Sequence, residues 1–377
     1  GAKRVRIFVI PIELYQQLRL YSKVAIMTSL TQVAITTRKI IKYGILSIIG
    51  IIVVRMLILS GVKIYKKIFP PPPPPPTVTY GRLPKLPFAQ KQLPANITFT
   101  LETAEGGFPK LPTQSKVFFM PKLSANLLSL DNAKQKAQSI GYAPDGEAVS
   151  PTTYRFRHPT APSTLEMNIV LGIFSINYDL RTDPTPLDAR PLVGEVAASQ
   201  VRSILSSANL LPQDLTGPTT YNYLKLQEDK FISAISLSEA DLVKIHFFRK
   251  PYDNLPVVTT DPKIANVWFT VSGAGQREKQ IVSAEYRYFP VDESQFSTYP
   301  TKTAKDAWNE LDRGQAYFVN IGLHKEGDNI KIRRIYLAYF DPGVPADFLQ
   351  PIIVLDEGVE NGLVVYIPAV TTDYYGE

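Results

Sequence analysis

The arrangement of apolar and polar positions divides the chain into parts that obey different periods. From Tyr43 to Val62 the sequence reads YGILSIIGIIVVRMLILSGV, twenty residues with Arg55 as their one charge. A helix of that length rises about 30 Å, the thickness of a bilayer's hydrocarbon core. Cations bracket the run, Arg38, Lys39 and Lys42 before it and Lys63, Lys66 and Lys67 after it, as head groups at both ends require. These features predict a retained single transmembrane helix over 43–62. A cleaved leader is not expected, because the run is long and begins about forty residues in, with no small-residue cleavage pattern behind it.

Ahead of the run, Leu14, Leu18, Tyr21, Ala25, Ile26, Leu30 and Val33 recur at spacings of three to four, which predicts a basic amphipathic arm over 1–42 entered after Pro11. Behind it stand seven prolines, Pro70 to Pro76, then Pro84, Pro87 and Pro94. A polyproline II rod rises about 3.1 Å per residue, so residues 63–95 read as a stiff stalk. The rival reading makes the rod a ligand for proline-recognising domains.

Past residue 95 the period becomes two, interrupted by helical stretches at Asn126–Ile140, Gly194–Leu210 and Thr303–Arg313. Strands are expected at 97–102, 116–120, 153–157, 165–170, 173–180, 221–226, 242–248, 267–271, 281–289, 316–321, 330–340, 352–355 and 363–367. Gly273-Ala-Gly275, Glu326-Gly-Asp-Asn329 and Glu360-Asn-Gly362 mark hairpins between them. The fold class is therefore α+β, an antiparallel-sheet body of repeated helix-plus-meander units over 96–190, 191–300 and 301–377.

Charge sharpens this picture. The formal net charge is +7, but residues 1–69 hold twelve Lys and Arg against Glu13 alone, +11, leaving −4 for residues 70–377. The basic part belongs beside anionic lipid, and the acidic body argues against nucleic acid as a partner. Cations close to the run are balanced, four on each side, whereas the whole arm carries eight. That bias predicts a cell-membrane protein with its N-terminus cytoplasmic and residues 70–377 extracytoplasmic. Arg55 either snorkels to the nearer interface or pairs with a carboxylate on a partner helix.

Chemistry-bearing motifs are sparse. There is no cysteine, and His158, His246 and His324 stand far apart without a second ligand at metal spacing. Ser272-Gly-Ala-Gly275 is not a nucleophile elbow, and no phosphate-binding or dinucleotide loop is present. Asp292-Glu293, Glu228-Asp229 and Asp356-Glu357 read as solvated turns, and Tyr286-Arg287-Tyr288-Phe289 as a strand with one buried face. No catalytic residue, cofactor or metal ligand is expected.

The C-terminal stretches TAKDAWNELDRGQA, RRIYLAYFD, DFLQPIIVLDEG and GLVVYIPAV resemble the closing module of PepSY-like and YycI-like extracytoplasmic domains, a helix followed by a meander. Ala307, Leu311, Pro351, Val354, Tyr366 and Ala369 carry the resemblance over about residues 301–370, while Ile352 or Ile353 stands where that pattern has Trp. It implies a membrane-tethered regulator or inhibitor acting through protein contact. The expected function is thus a stalked extracytoplasmic domain that binds a protein partner to regulate or scaffold an envelope assembly. The alternatives are a cell-surface enzyme acting on envelope polymers and a structural subunit of a larger membrane complex.

Overall fold

A computed structural model describes residues 12–68, 74–89 and 91–376, with side chains inside the first helix described from 33 to 66. The chain forms two compact units, Gly1–Pro75 and Pro76–Glu377. In the first, α1 (Ile12–Ile68) is one uninterrupted helix. The expected arm and span run together in this helix, and the six residues after Val62 belong to it rather than to a stalk. It ends at Ile68, two residues ahead of Pro70, and helices commonly stop before a proline. Its segment Val33–Lys66 is long and apolar enough to cross a membrane. The arm's residues 1–11 and the rod's Pro70–Pro73 lie outside the described residues, as do the side chains of the expected amphipathic face up to Leu30.

The second unit is α+β, mostly sheet. Its elements in order are β1 (Thr98–Leu101), β2 (Gln114–Phe119), α2 (Ser129–Ser139), β3 (Glu147–Ala148), β4 (Thr153–Arg157), β5 (Ser163–Asn168), β6 (Phe174–Tyr178) and α3 (Gly194–Ser207). Then come β7 (Thr219–Gln227), β8 (Lys230–Ser233), β9 (Leu242–Phe247), β10 (Val257–Thr259), β11 (Val267–Val271), β12 (Ile281–Tyr286), β13 (Asp292–Pro300) and α4 (Ala304–Asp312). The chain closes with β14 (Tyr317–Ile321), β15 (Asn329–Ile332), β16 (Arg334–Asp341), β17 (Phe348–Asp356) and β18 (Leu363–Pro368). Thr303 starts α4 through a capping box with Asp306. Glu228 and Asp229, both at positive φ, close the β7–β8 hairpin as a two-residue turn of that kind requires.

These strands do not fall into three successive units. One nine-stranded antiparallel sheet runs β3-β4-β5-β6-β12-β11-β9-β7-β8, straddling the expected boundary at 190/191. A seven-stranded sheet has the order β10-β16-β17-β18-β14, with β2 joined to β17 and β13 to β2. Strand β2, expected in the first unit, thereby pairs with strands expected in the second and third. The pairs β1·β15 and β10·β16 are parallel, so Glu326–Asn329 does not close a hairpin. A three- or four-stranded meander leaves two open edges, and merging the meanders satisfies those backbone groups instead.

On the nine-stranded sheet α2 and α3 cover one face, where Ala137, Phe156, Leu165, Val201, Ile245 and Phe269 form the main core. The other face is polar: Arg155, Glu166, Ser175, Glu285, Trp268 and His246 stand in register across six strands. On it Arg155 pairs with Glu166 at 2.7 Å, and Lys244 Nζ sits 3.6 Å from the Trp268 ring centre.

The seven-stranded sheet is covered on both faces, and the second cover comes from the segment expected to be a stalk. Leu83 and Leu86 are buried, and Phe88 packs with Leu86 against Phe340, Val354 and Tyr366. Thr77 N donates to Thr298 Oγ1 at 2.9 Å and Leu83 N to Tyr374 O at 2.8 Å. From Thr77 onward the chain is part of the body, so the expected stalk over 63–95 does not extend past that point.

Candidate functional site at the junction of the two sheets

The sheets are tied together by a buried arginine. Arg249, just past β9, has only 3% of its side chain exposed. Its Nε donates to Asp341 Oδ2, at the end of β16, at 2.6 Å. Its Nη1 donates to Asp214 Oδ2, from the single turn Gln213–Thr216 that follows α3, and Nη2 donates to the Phe289 carbonyl. Tyr252 Oη donates to Asp214 Oδ2 at 2.8 Å, and the Tyr288 ring lies 4.6 Å from the guanidinium carbon. Burial opposes the charge on Arg249, but Asp341 and Asp214 outweigh it and its pKa is raised. Burial, then Asp214, likewise raises Tyr252 and Tyr288. Gly217 admits this approach, because a Cβ there would overlap the Arg249 carbonyl.

The cluster holds one cation and two carboxylates, and Asp214 Oδ1 is buried without a hydrogen-bond partner. Each of the guanidinium's three nitrogens donates to a partner within the fold. Its chemistry is therefore cohesion: removing one partner of a buried ion pair leaves an uncompensated charge.

Arg249 also lines a cleft of about 780 Å³ between the sheets. One wall is β7, through Thr220, Tyr221 and Asn222, with Ser233 of β8. The opposite wall is Pro256, Val257 and Val258 at β10, with Pro262, Lys263, Glu360 and Asn361 at the rim. Strand β10 ends its sheet, and β8 covers only Leu224–Gln227 of β7, so the cleft lies between two sheet edges. Beside it the hairpin exposes Tyr221 (41%), Phe231 (42%) and Ile232 (43%), and Ile235, just past β8, is 94% exposed. Tyr221 lies flat against Gly194, the first residue of α3, where any Cβ would enter its ring.

The residues singled out in the sequence do not converge here. Arg55 lies within α1, and the sequence has no Asp or Glu between Glu13 and Glu102. The adjacent carboxylates go separate ways. Asp356 accepts from Arg334 Nε at 2.7 Å while Glu357 meets His324 Nε2 at 2.9 Å. Asp292 caps Ser294 and Glu293 pairs with Lys250 at 2.6 Å. Asp229 reaches Arg181 at 3.7 Å. His246 is buried, its Nδ1 accepting from Ala265 N at 3.3 Å; burial and Lys244 push it down to about 4. His158 stands edge-on to Tyr142. Tyr286 stacks on Phe174 at 4.8 Å and donates to the Leu210 carbonyl, while Arg287 points outward to Glu285. Ser272 sits in the connection between β11 and β12 and donates to Lys279 O. Among the described residues no group of three or more His, Asp and Glu is placed to hold a metal.

Sequence reasoning missed Arg249, Asp214 and Asp341, which lie 35 and 92 residues apart along the chain. The available signal was an arginine closing the apolar strand LVKIHFFR.

No family model matches the chain, and no curated protein matches it. Among solved structures the chain is similar to an uncharacterized protein from Eubacterium rectale ATCC 33656, with a TM-score of 0.35 and 12% identity over 69% of this chain and 84% of that one.

Proposed function

We propose that the chain is a single-pass membrane protein whose body binds another protein by surface contact, and so regulates or scaffolds an envelope assembly. In this reading the N-terminus is cytoplasmic and the body extracytoplasmic, on the charge bias of the arm. The observation that carries this reading is the apolar hairpin β7–β8 and the chain leaving it, where Tyr221, Phe231, Ile232 and Ile235 are exposed beside an open strand edge. Natural sheets cover or charge such edges unless they are used. The resemblance over residues 301–370 is in keeping with it. A photoreactive phenylalanine analogue at Ile235, in the full chain in its native membrane, should give one discrete cross-linked species. The same analogue at Thr164 on the polar face should give none. Equal labelling from both positions would end the reading.

A second reading, a subunit of a larger membrane complex, is favoured by Arg55. A cation deep in a span needs a carboxylate or water, and the neighbouring sequence supplies no acid. Arg55→Leu should then lower the amount of assembled complex; unchanged abundance and assembly would remove this reading.

A further inference from the structure

The open edge of β7 has a definite hydrogen-bonding register. Phe248 N donates to Pro218 O at 3.1 Å, and Thr220 stands opposite His246 and Asn222 opposite Lys244. Backbone groups of Pro218, Thr220 and Asn222 therefore face β9, and those of Thr219, Tyr221 and Tyr223 face away from it. Strand β8 and the bond from Ala234 N to Tyr223 O, 2.8 Å, occupy that outer side only as far as Tyr223. The chain then leaves the edge at Ile235 to cross to the far side of β7 and begin β9. The lane that β8 would have filled, about 13 Å beside Thr219–Asn222, opens on the cleft between the sheets, which Thr220, Tyr221 and Asn222 line.

The contents of that lane specify its occupant. Pro218, Pro251, Pro256 and Pro262 line the cleft and have no N–H, while on the β7 side the outward backbone groups are those of Thr219 and Tyr221. These offer N–H and C=O at alternate residues, the complement of an extended backbone. Arg202 donates to Thr219 Oγ1, and Lys263 bonds the Asn361 side chain at the rim. Neither has a carboxylate within ion-pair distance among the described residues, and Glu360 is the lone acid lining the cleft. Tyr221 presents an exposed ring on the same face as Thr219.

We propose that an extended segment of another protein adds here as a tenth strand, antiparallel to β7 and in line with β8. It carries an apolar residue opposite Tyr221 and, two residues later, a carboxylate opposite Thr219. This deepens the protein-binding reading above and rests on it.

The test uses the full chain in detergent, panned against a displayed library of random ten-residue peptides. Enriched peptides should share an apolar residue followed two positions later by Asp or Glu. Adding one of them should slow amide hydrogen exchange at Thr219 and Tyr221, leaving Thr220 and Asn222, already bonded to β9, unchanged. Thr219→Pro removes the outward N–H without touching a β9 bond and should weaken binding roughly tenfold or more. Arg202→Gln should weaken acidic peptides and leave their Asn counterparts unaffected. An unaltered melting temperature confirms that each variant folds.

Failure to enrich any peptide family, or enriched peptides that bind the Thr219→Pro variant equally, overturns strand addition. So does protection of the same two amides without peptide as protein concentration rises, which would assign the lane to a second copy of this chain. If cross-linking at Ile235 persists in the Thr219→Pro variant, protein binding stands and strand addition falls. If it is never seen in any variant, the broader reading falls as well.

Discussion

The two sheets of the body use strands of opposite character. In the nine-stranded sheet β5 alternates strictly between buried and half-buried positions, because α2 and α3 cover one face and water meets the other. In the seven-stranded sheet β17 is buried at every position after Phe348. There α4 and the β1–β15 pair cover one face, while Leu86, Phe88 and Tyr375 cover the second. The difference shows that the apolar pattern of a strand reports how many of its faces are covered. It does not report what covers them.

The strongest test of this comparison removes what joins the sheets. Arg249→Met leaves Asp214 and Asp341 buried without their cation, and should cost about 3–5 kcal/mol in chemical denaturation of the body. A loss below about 1 kcal/mol would mean that the sheets hold together without the ion cluster. Next, Ile353→Ala in the doubly covered sheet should cost about 3 kcal/mol, the transfer and cavity cost of a fully buried side chain. Thr164→Ala on the wet face of β5 should stay within about 0.5 kcal/mol. Similar costs at the two positions would erase the distinction between the sheets.

His246 is an exception on the wet face, a buried imidazole screened from water by the segment that carries Ala265. Burial first, then Lys244, lowers its pKa to about 4, with Asp261 opposing. The unfolded chain takes up this proton at higher pH than the folded one. The stabilising contribution is therefore complete above the ordinary histidine value and is lost as pH falls towards 4. Between pH 7 and pH 4 the loss should be roughly 2–3 kcal/mol. His246→Gln keeps an acceptor for Ala265 and should flatten that part of the stability profile. An unchanged profile would place the pH dependence in other groups.

Much of this was legible. Regular elements such as Thr153–Arg157 and Val267–Val271 appear at the residues where alternation predicted them, since each buries one face locally. Helix α4 lies one residue inside its expected ends because its Thr303 cap and apolar stripe are local signals too. Ala307, Leu311, Pro351, Val354, Tyr366 and Ala369 are all buried, as apolar positions of a covered helix and sheet are. Strand pairing was not legible. β2 finds β13 nearly two hundred residues away, and Arg249 finds Asp341 across 92, through contacts with no counterpart in local period. The edge of β7 was equally hidden, because an open lane is defined by where β8 stops.

The segment 74–95 shows how composition misleads, and supplies the smallest effect. Its prolines announce a linker, yet they also preset an extended chain that can lie across a sheet without needing strand partners of its own. Phe88 turns that chain into a cover, with its ring centre 4.6 Å from Tyr317, 4.7 Å from Phe340 and 6.0 Å from Tyr366. Phe88→Ala should cost about 2 kcal/mol, less than a fully buried ring because this one stays partly exposed. Pro75→Ala, just outside the body, should cost under about 0.5 kcal/mol. If both substitutions were silent in denaturation of the full chain, residues 74–95 would be a linker after all, and the second face of β17 would need another cover. A loss confined to Phe88 places the inner limit of the body at Thr77, where its first hydrogen bonds begin.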